Sequence, residues 1–280
     1  MKPVKVANIV RALIIAPIIL LWTAVMAVIS LLLSLFDRNG ALQHGCARVW
    51  ARFVLWISGT RVQAFNLDSI AHSGPFILVS NHQSFFDIFS LLACLPTQFR
   101  FFAKDSLFRV PFLGWHLRRA GHLPIDRSNA RAAYKSFQSA VERIKAGTSV
   151  VIFPEGSRSI TGQVGSFRKG SLRLALTAGV AVVPIAIYGS GDVLPKGSFL
   201  ISPGGIYILA GQAIVPTEED LKDKESFVEA VRARVVEQYR QLEARECSMR
   251  NAEGRKRKAE SRKQTAEDRK QNPDKLEIEN

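Results

Sequence analysis

The chain has 280 residues, of which 47% are hydrophobic, and 38 Lys and Arg against 24 Asp and Glu give a formal net charge of +14. This composition excludes an intrinsically disordered polymer, a collagen-like repeat and a small disulfide scaffold. Cys46, Cys94 and Cys247 are odd in number, widely spaced and without a C-x-x-C pair. The cysteines therefore indicate a reducing compartment and disfavour structural zinc.

A charge of +14 implies an anionic partner, which can be a nucleic acid, a membrane surface or a phosphorylated substrate. The sequence contains no RNP-like aromatic motif, zinc finger or recognition-helix pattern, so nucleic acid is disfavoured. The RKRK run at 255–258 is the feature that keeps nucleic acid as a possible partner. Residues 245–280 carry eleven basic and eight acidic side chains, so +11 of the charge lies before this segment.

The first long segment, 13–36, contains 24 residues without a charge. As a helix it would be ~36 Å long, which exceeds the ~30 Å hydrocarbon core of a bilayer. It is longer than the apolar part of a secretory signal and lacks a small-residue cleavage site, which predicts an uncleaved membrane anchor. A buried core helix is the alternative.

The orientation of this anchor is left open by the charges around it. Three basic residues lie on each side, at Lys2, Lys5 and Arg11 and at Arg38, Arg48 and Arg52. This tie is compatible with a single span and with a helical hairpin that returns on one face. The next segment, 42–57, has an apolar and a basic face, which is typical of a helix in the membrane interface and also of one packed on a domain.

After Gly59 the pattern changes to short apolar runs that alternate with amphipathic segments. Strands are predicted at 61–65, 76–80, 100–103, 122–125, 149–153, 180–188 and 206–209, and helices at 85–95, 107–120, 130–146, 167–178 and from Thr217 toward Leu242. This alternation predicts an α/β fold with a mixed, largely parallel sheet flanked by helices. The expected organisation is membrane-anchoring helices at 1–58, an α/β domain at 59–244 and a charged, disordered tail at 245–280.

The first candidate for chemistry is the segment NHQSFFD at 81–87, directly after a predicted strand. With Asp87 in the first turn of the next helix, His82 can fold back so that the carboxylate orients its imidazole as a general base. The alternative is that Ser84 and Asp87 only cap the helix and that His82 is a surface residue. No G-x-S-x-G nucleophile accompanies the pair, so the substrate would supply the nucleophile.

Cations follow three further predicted strands. FPEGSRS at 153–159 offers a turn with exposed backbone N–H groups and the planar guanidinium of Arg158, which suits phosphate. GHLPIDR at 121–127 ends in Arg127, and Lys104 ends the strand RFFAK. Three cations at strand ends favour an anionic ligand, although each alone is also typical of a plain turn with a solvated side chain.

Taken in order, NHQSFFD, GHLPIDR, FPEGSRS and the VVPIAI of 182–187 resemble the four sequence blocks of the glycerolipid acyltransferases, and specifically of the bacterial 1-acyl-sn-glycerol-3-phosphate acyltransferases. The resemblance implies that His82 is the general base and that Asp87 orients it. It implies that Lys104 lies near the phosphate or the thioester oxygen, and it assigns acceptor binding to Arg127, Glu155, Gly156, Ser157 and Arg158. Pro184 would bind the acyl donor or shape the site, whereas from the residue alone a strand proline indicates an edge or a bulge.

The resemblance further implies that an acyl chain passes from acyl-CoA or acyl carrier protein to the sn-2 hydroxyl of 1-acyl-sn-glycerol-3-phosphate (lysophosphatidic acid), forming phosphatidic acid in phospholipid biosynthesis. It implies no metal or resident cofactor, and a place at the inner membrane with the catalytic domain facing the cytoplasm. Two alternatives stay open: an acyltransferase for another lysolipid such as lyso-ornithine lipid, and a membrane-anchored protein that binds a polyanion without catalysis.

Overall fold

The computed structural model describes residues 6–37, 39–71, 74–125 and 130–271. The chain forms two compact units, which divide between Tyr239 and Arg240. The first unit contains the sheet and all four sequence blocks, and the second begins within the last helix, at Arg240.

The helices are α1 (Val6–Leu33), α2 (Ala41–Ile57), α3 (Asp68–Ala71), α4 (Phe86–Cys94), α5 (Leu113–Arg119), α6 (Ala130–Lys145), α7 (Arg173–Ala178), α8 (Ser190–Val193), α9 (Glu218–Lys222) and α10 (Lys224–Gln271), with a 3-10 helix at Asp105–Arg109. The strands are β1 (Arg61–Phe65), β2 (Ile77–Ser80), β3 (Phe99–Lys104), β4 (Leu123–Ile125), β5 (Ser149–Ile152), β6 (Val182–Tyr188) and β7 (Gly205–Ala210). They form one sheet in the order β1-β7-β6-β2-β5-β3-β4, in which every pair is parallel except β6 with β7.

The predicted α/β fold with a mixed, largely parallel sheet is confirmed, and all seven predicted strands are present. Successive residues of β2 point to opposite faces of the sheet. Leu78 packs into the core on the side of α2 and α4, whereas Ile77 and Val79 pack with residues of α6, α7 and α10. Both faces of the central strands are therefore covered, as parallel strands require.

Three predicted helices differ from the structure. The helix expected at 167–178 begins only at Arg173. The helix expected at 107–120 is split into the 3-10 helix and α5, because Pro111 disfavours helical backbone at the residue before it, and Val110 is extended. The helix expected from Thr217 ends at Lys222, and α10 begins as a separate helix. The Thr217 capping box is present, with Asp220 as its partner.

The tail also differs from its expectation. Residues 245–271 continue α10 in place of the predicted disordered segment. Its sequence is rich in Ala, Glu, Gln, Lys and Arg, which favour helix, and it contains no proline before Pro273. A lack of apolar residues thus argues against a packed core and does not exclude a solvated helix.

The two N-terminal helices form an antiparallel hairpin against the α/β domain. Trp22 of α1 packs on Phe53 of α2 with ring centroids 4.6 Å apart, and the Trp50 indole donates to Thr23 Oγ1 at 3.0 Å. Within the described residues, Arg11–Leu33 is the one helical segment that is long and apolar enough to cross a membrane, and only 11% of its most apolar window is buried. The outer face of α1 is therefore a candidate membrane-contacting surface.

Three histidines lie around β3 and are kept neutral by their surroundings. His122 Nδ1 accepts the backbone N–H of Phe101 at 3.0 Å, and its ring is 6.3 Å from that of His116. Burial is the largest cause that lowers the pKa of His122 to about 3, and the positive charge of Arg100 acts in the same direction. Burial, together with Arg100 and Arg48, lowers the pKa of His44 to about 4.

We expect acid to destabilise the fold through these histidines. An unfolded histidine titrates near 6.5, so below that pH the unfolded chain binds protons that the folded chain does not, down to the folded pKa of about 3 for His122. The free energy of unfolding should fall by ~1.4 kcal/mol per pH unit for each such histidine. His122→Asn keeps an acceptor for the Phe101 N–H and cannot titrate, so denaturant unfolding between about pH 7 and about pH 5 should show a shallower slope. An unchanged slope would contradict this account.

Candidate active site

The candidate site lies at the carboxyl ends of β2, β5 and β6, which are neighbours in the sheet. Asn81, directly after β2, donates its side-chain amide to Ile187 O at 2.8 Å and accepts the Ile187 N–H at 2.8 Å. Asn81 is fully buried, so this pair of hydrogen bonds extends the β2–β6 contact past the last residue of β2. The next segment of the chain therefore starts from a fixed point at an edge where parallel α/β sheets place their sites.

His82 and Asp87 are in direct contact. His82 Nδ1 lies 2.7 Å from Asp87 Oδ2, and the Asp87 side chain is 0% exposed while that of His82 is 14% exposed. A carboxylate at this distance accepts the proton on Nδ1 and leaves Nε2 as the lone-pair nitrogen. Nε2 has no hydrogen bond to any described residue, so it is open to a group that enters the site.

The same segment also contains hydrogen bonds that hold the turn before α4, although the N-cap of that helix is Phe85, which makes no side-chain cap bond. Asp87 Oδ2 also accepts the backbone N–H groups of Gln83 at 2.7 Å and Ser84 at 2.9 Å, and Ser84 Oγ accepts the N–H of Phe86 at 3.2 Å. The carboxylate therefore holds the turn that begins α4 with the same oxygen that holds the imidazole. The two interpretations of the motif are not exclusive.

The loop after β5 joins the His82 segment at three points. Glu155 Oε1 accepts the His82 backbone N–H at 2.9 Å, and the N–H of Ser159 donates to His82 O at 2.7 Å. The Phe153 ring stacks on the imidazole with centroids 4.0 Å apart. Burial raises the pKa of Glu155, and the backbone N–H groups of His82 and Gly165 oppose this shift. Glu155 thus helps to fix the position of His82 through the backbone N–H of that residue.

Gly156 occupies a position that a larger residue would strain. Its φ is +73°, and a Cβ there would lie 2.4 Å from Arg168 Nε. The backbone amide of Gly156 donates to Phe153 O at 3.0 Å and closes the turn. The guanidinium of Arg168 consequently lies against the FPEGSR loop, a contact that the sequence does not suggest.

Two other cations are located at this loop. The Arg158 guanidinium lies 4.0 Å from the centroid of the Phe85 ring, a cation–π contact beside the His82 turn. Lys196 Nζ donates to Arg158 O at 2.7 Å. Among the described residues Arg158 has no carboxylate partner, so its charge is available to an anion.

The remaining predicted residues are placed as follows. Ser157 is exposed in the same loop, and Lys104 is exposed at the end of β3, next to β5 in the sheet. Arg127 lies outside the described residues. The structure therefore brings His82, Asp87, Glu155 and Arg158 together.

Pro184 lies in β6, the third strand of the sheet, so the edge position that a strand proline suggests is wrong. The other feature that a strand proline suggests, an irregularity in the strand pairing, is present. Regular β6–β7 pairing begins at Ile185, Val182 bridges Ile214, and Gly211 N donates to Pro184 O at 2.8 Å. Because the N and C=O of a strand residue point to the same side, the missing N–H faces the irregular stretch, where no regular ladder bond is lost.

Sequence reasoning missed a further polar contact that fixes the site. The buried Gln83 side chain donates to Gly162 O at 2.6 Å and to the Tyr239 hydroxyl at 2.8 Å, and that hydroxyl donates to Gly162 O at 2.7 Å. The three groups join the His82 turn, the loop after β5 and α10. Gln83 lies inside the first block and could have been suspected, but nothing in the sequence points to Tyr239.

In the part of the chain that the structure describes, no three His, Cys, Asp or Glu side chains converge as metal ligands. The functional groups present are the imidazole of His82, oriented by Asp87, and the guanidinium of Arg158, which has no described carboxylate partner. That combination can remove a proton from a neutral group on a substrate that also carries an anion.

Comparison with known proteins shows which family the chain resembles. A family model described as Acyltransferase matches residues 61–188. A 1-acyl-sn-glycerol-3-phosphate acyltransferase of Saccharomyces cerevisiae is 30% identical over 218 residues, which are 76% of this chain and 71% of that protein. A chloroplastic one of Arabidopsis thaliana is 35% identical over 190 residues, 67% of this chain and 53% of that protein, so the chain spans about half the length of this plant relative.

A solved structure agrees with these relatives. The crystal structure of the 1-acyl-sn-glycerophosphate acyltransferase from Thermotoga maritima superposes with a TM-score of 0.73 at 26% sequence identity. The match covers 86% of this chain and 98% of that one. The chain therefore belongs to the 1-acyl-sn-glycerol-3-phosphate acyltransferase family of glycerolipid acyltransferases.

Proposed function

We propose that the chain transfers an acyl group from a thioester, acyl-CoA or acyl carrier protein, to the sn-2 hydroxyl of 1-acyl-sn-glycerol-3-phosphate and forms phosphatidic acid. The observation that carries this proposal is the 2.7 Å contact between His82 and buried Asp87, with Nε2 left open, beside the unpaired Arg158. The relatives named above support the substrate class. No resident cofactor is needed, because the thioester supplies the activated acyl group.

The reaction requires no acyl-enzyme. His82 Nε2 takes the proton of the sn-2 hydroxyl as its oxygen attacks the thioester carbonyl carbon. The tetrahedral intermediate then collapses, the C–S bond breaks, and the imidazolium gives its proton to the leaving thiolate, so that the products are the ester and the free thiol. Asp87 holds the ring and stabilises the transient positive charge, which is the part of the mechanism that a buried carboxylate can perform.

Phosphate binding would position the hydroxyl for this step. Arg158 presents a guanidinium at the mouth of the site, and Arg168 and Lys196 lie against the same loop. Arg127 and Lys104 are further candidates from the family resemblance. Holding the phosphate at one end of the glycerol restricts where the sn-2 oxygen can be, and such restriction supplies a large share of catalysis in two-substrate reactions.

The exposed apolar face of α1 suits an enzyme whose acceptor and product are lipids. Because thioester donors are cytosolic, we propose that the α/β domain lies on the cytoplasmic face of the inner membrane. The packing of α1 along α2 and the domain supports a hairpin anchor over an isolated span. The outer face of this hairpin would contact the lipid.

Removing either member of the His82–Asp87 pair should abolish most acyl transfer. We expect His82→Ala and Asp87→Asn each to lower kcat by ~10²–10⁴-fold, because the first removes the base and the second removes its orienting charge. Transfer of radiolabelled acyl groups from acyl-CoA to lysophosphatidic acid measures the loss. The control is Asp68→Asn, which changes an exposed carboxylate at the start of α3. Near-normal turnover in His82→Ala would refute the assignment.

Arg158→Gln should affect the acceptor and not the donor. Loss of a charge-assisted contact to phosphate predicts a KM for lysophosphatidic acid ~10–100-fold higher, with the KM for acyl-CoA little changed. The matched control is Arg61→Gln on the exposed start of β1. Steady-state kinetics with lysophosphatidic acid and with monoacylglycerol, which lacks the phosphate, shows whether the loss in Arg158→Gln depends on that group. If wild-type protein uses a lysolipid without phosphate, such as lyso-ornithine lipid, equally well, the phosphate proposal fails and that acceptor takes its place.

Cys247 offers a direct test of orientation. It is exposed, whereas Cys46 is buried and Cys94 is half-buried, so a membrane-impermeant maleimide should label Cys247 first. Among the described residues no candidate span separates it from the α/β domain. In sealed vesicles we expect labelling only when the cytoplasmic face is outward, with Cys247→Ser as the control. Labelling from the opposite face alone would contradict the proposed orientation.

A further inference from the structure

An open cavity of about 790 Å³ lies at the edge of the sheet opposite His82. Its lining includes Pro75 just before β2, Arg100 at the start of β3 and Ser149 at the start of β5, whereas His82 follows the far end of β2. Every charged residue that lines it in the described part of the chain is an arginine: Arg100, Arg118, Arg119 and Arg143. Of the four sequence blocks, only GHLPIDR contributes to the lining, through its first residue, Gly121.

Arg100 is built into the wall of the cavity. It is 6% exposed and donates to Phe99 O at 3.0 Å and to Asn39 O at 2.7 Å. Its guanidinium lies between Gly40 and Gly121, both at positive φ, and a Cβ at Gly40 would lie 2.6 Å from Nη2. Glycine at both positions leaves room for a buried guanidinium that a methyl group would displace.

Two more of the arginines are oriented in the same way. Arg118 Nη2 donates to Phe108 O at 2.5 Å, and Arg143 Nη1 donates to Gly121 O at 2.8 Å. Backbone carbonyls thus fix three guanidinium groups without neutralising them. No carboxylate is paired with any of the four arginines in the described residues.

The local negative charge is too small to balance them. Asp37 is an acidic group whose charge acts on Arg100, and its carboxylate already accepts three backbone N–H groups at the start of α2. Asp105 lines a smaller cavity together with Arg118 and Arg143, but its carboxylate is already paired with Arg109. The carboxyl ends of α5 and α6 contribute about half a negative charge each. About two positive charges remain, which is close to the charge of one phosphate monoester.

An apolar groove of about 360 Å³ adjoins the cavity and shares Arg118 and Arg119 with it. Its other walls are Leu31 of α1, Ser34 and Leu35 in the turn that follows α1, and Trp115 of α5. Leu35 is 71% exposed and Trp115 is 50% exposed, so this groove opens on the surface that faces lipid if α1 is an anchor. Cations and apolar wall together match the two parts of a phospholipid.

We propose that this cavity is a second, non-catalytic site that binds the phosphate headgroup of an anionic phospholipid, with an acyl chain in the adjoining groove. The arginines would contact phosphate oxygens, and Leu31, Leu35 and Trp115 would contact the chain. The site is independent of acyl transfer at His82, since it lies at the other edge of the sheet. Binding of the α/β domain to the membrane would then depend on the anionic lipids in the bilayer.

Counting bound lipids tests the proposal. Native mass spectrometry of the full chain in detergent, with dioctanoyl phosphatidic acid as probe, should lose one bound lipid in Arg119→Gln/Arg143→Gln relative to wild type. Arg61→Gln/Arg234→Gln removes the same charge from exposed positions outside the cavity and should keep the wild-type number. Because Arg143 holds Gly121, Arg119→Glu serves as a second variant, since Arg119 lines the cavity without holding a described backbone group in that way. It should weaken the Kd of this lipid at least ~10-fold.

The remaining outcomes are decisive. Dioctanoyl phosphatidylcholine, which has the same chains and no net charge, should not occupy the site, and equal binding of both lipids would overturn the proposal. An unchanged lipid count in both arginine variants would also overturn it and leave the arginines a structural role, such as the Arg100 link between α2 and β3. Displacement of the lipid by millimolar inorganic phosphate would assign the cavity to soluble phosphate and overturn the lipid assignment.

Discussion

The site depends on one carboxylate oxygen. Asp87 Oδ2 accepts hydrogen bonds from the His82 imidazole and from the backbone N–H groups of Gln83 and Ser84. Burying a carboxylate costs several kcal/mol, and hydrogen bonds to a charged acceptor each return ~1.5–3 kcal/mol. Three such bonds to Oδ2 offset much of this cost, while Oδ1 is buried and accepts no hydrogen bond from a described residue. Loss of this carboxylate would therefore release both the turn and the imidazole.

The strands that lead into the site are completely buried. Every residue of β2 and β5 is buried, and Asn81 carries the β2–β6 contact one residue beyond the strand. The loop after β5 then contacts both the N–H and the C=O of His82, through Glu155 and Ser159. The His82 side chain thus projects from backbone whose polar groups are satisfied, and little freedom is left to it.

Local patterns are sufficient for the strands, the fold class and the His82–Asp87 contact, because these depend on alternation, burial and a five-residue spacing. The breaks at Pro111 and Asp223 lie within continuous apolar periodicity, which hides them. The Gln83–Tyr239 contact joins residues 156 positions apart, and the Arg100 cavity is assembled from five separate segments. No local sequence pattern predicts such contacts, because they can be inferred only when the order of the strands in the sheet is known.

The hydroxyl of Tyr239 also bears on where the functional unit ends. The family model matches residues 61–188, yet the network that holds the His82 turn to the loop after β5 is completed on α10 at Tyr239. Intervening strand β7 separates β1 from β6 and is likewise outside the match. A fragment cut at the family boundary would keep all four blocks and lack a sheet strand and a hydrogen bond of the site. The smallest piece that preserves this architecture extends about fifty residues past the last recognisable block.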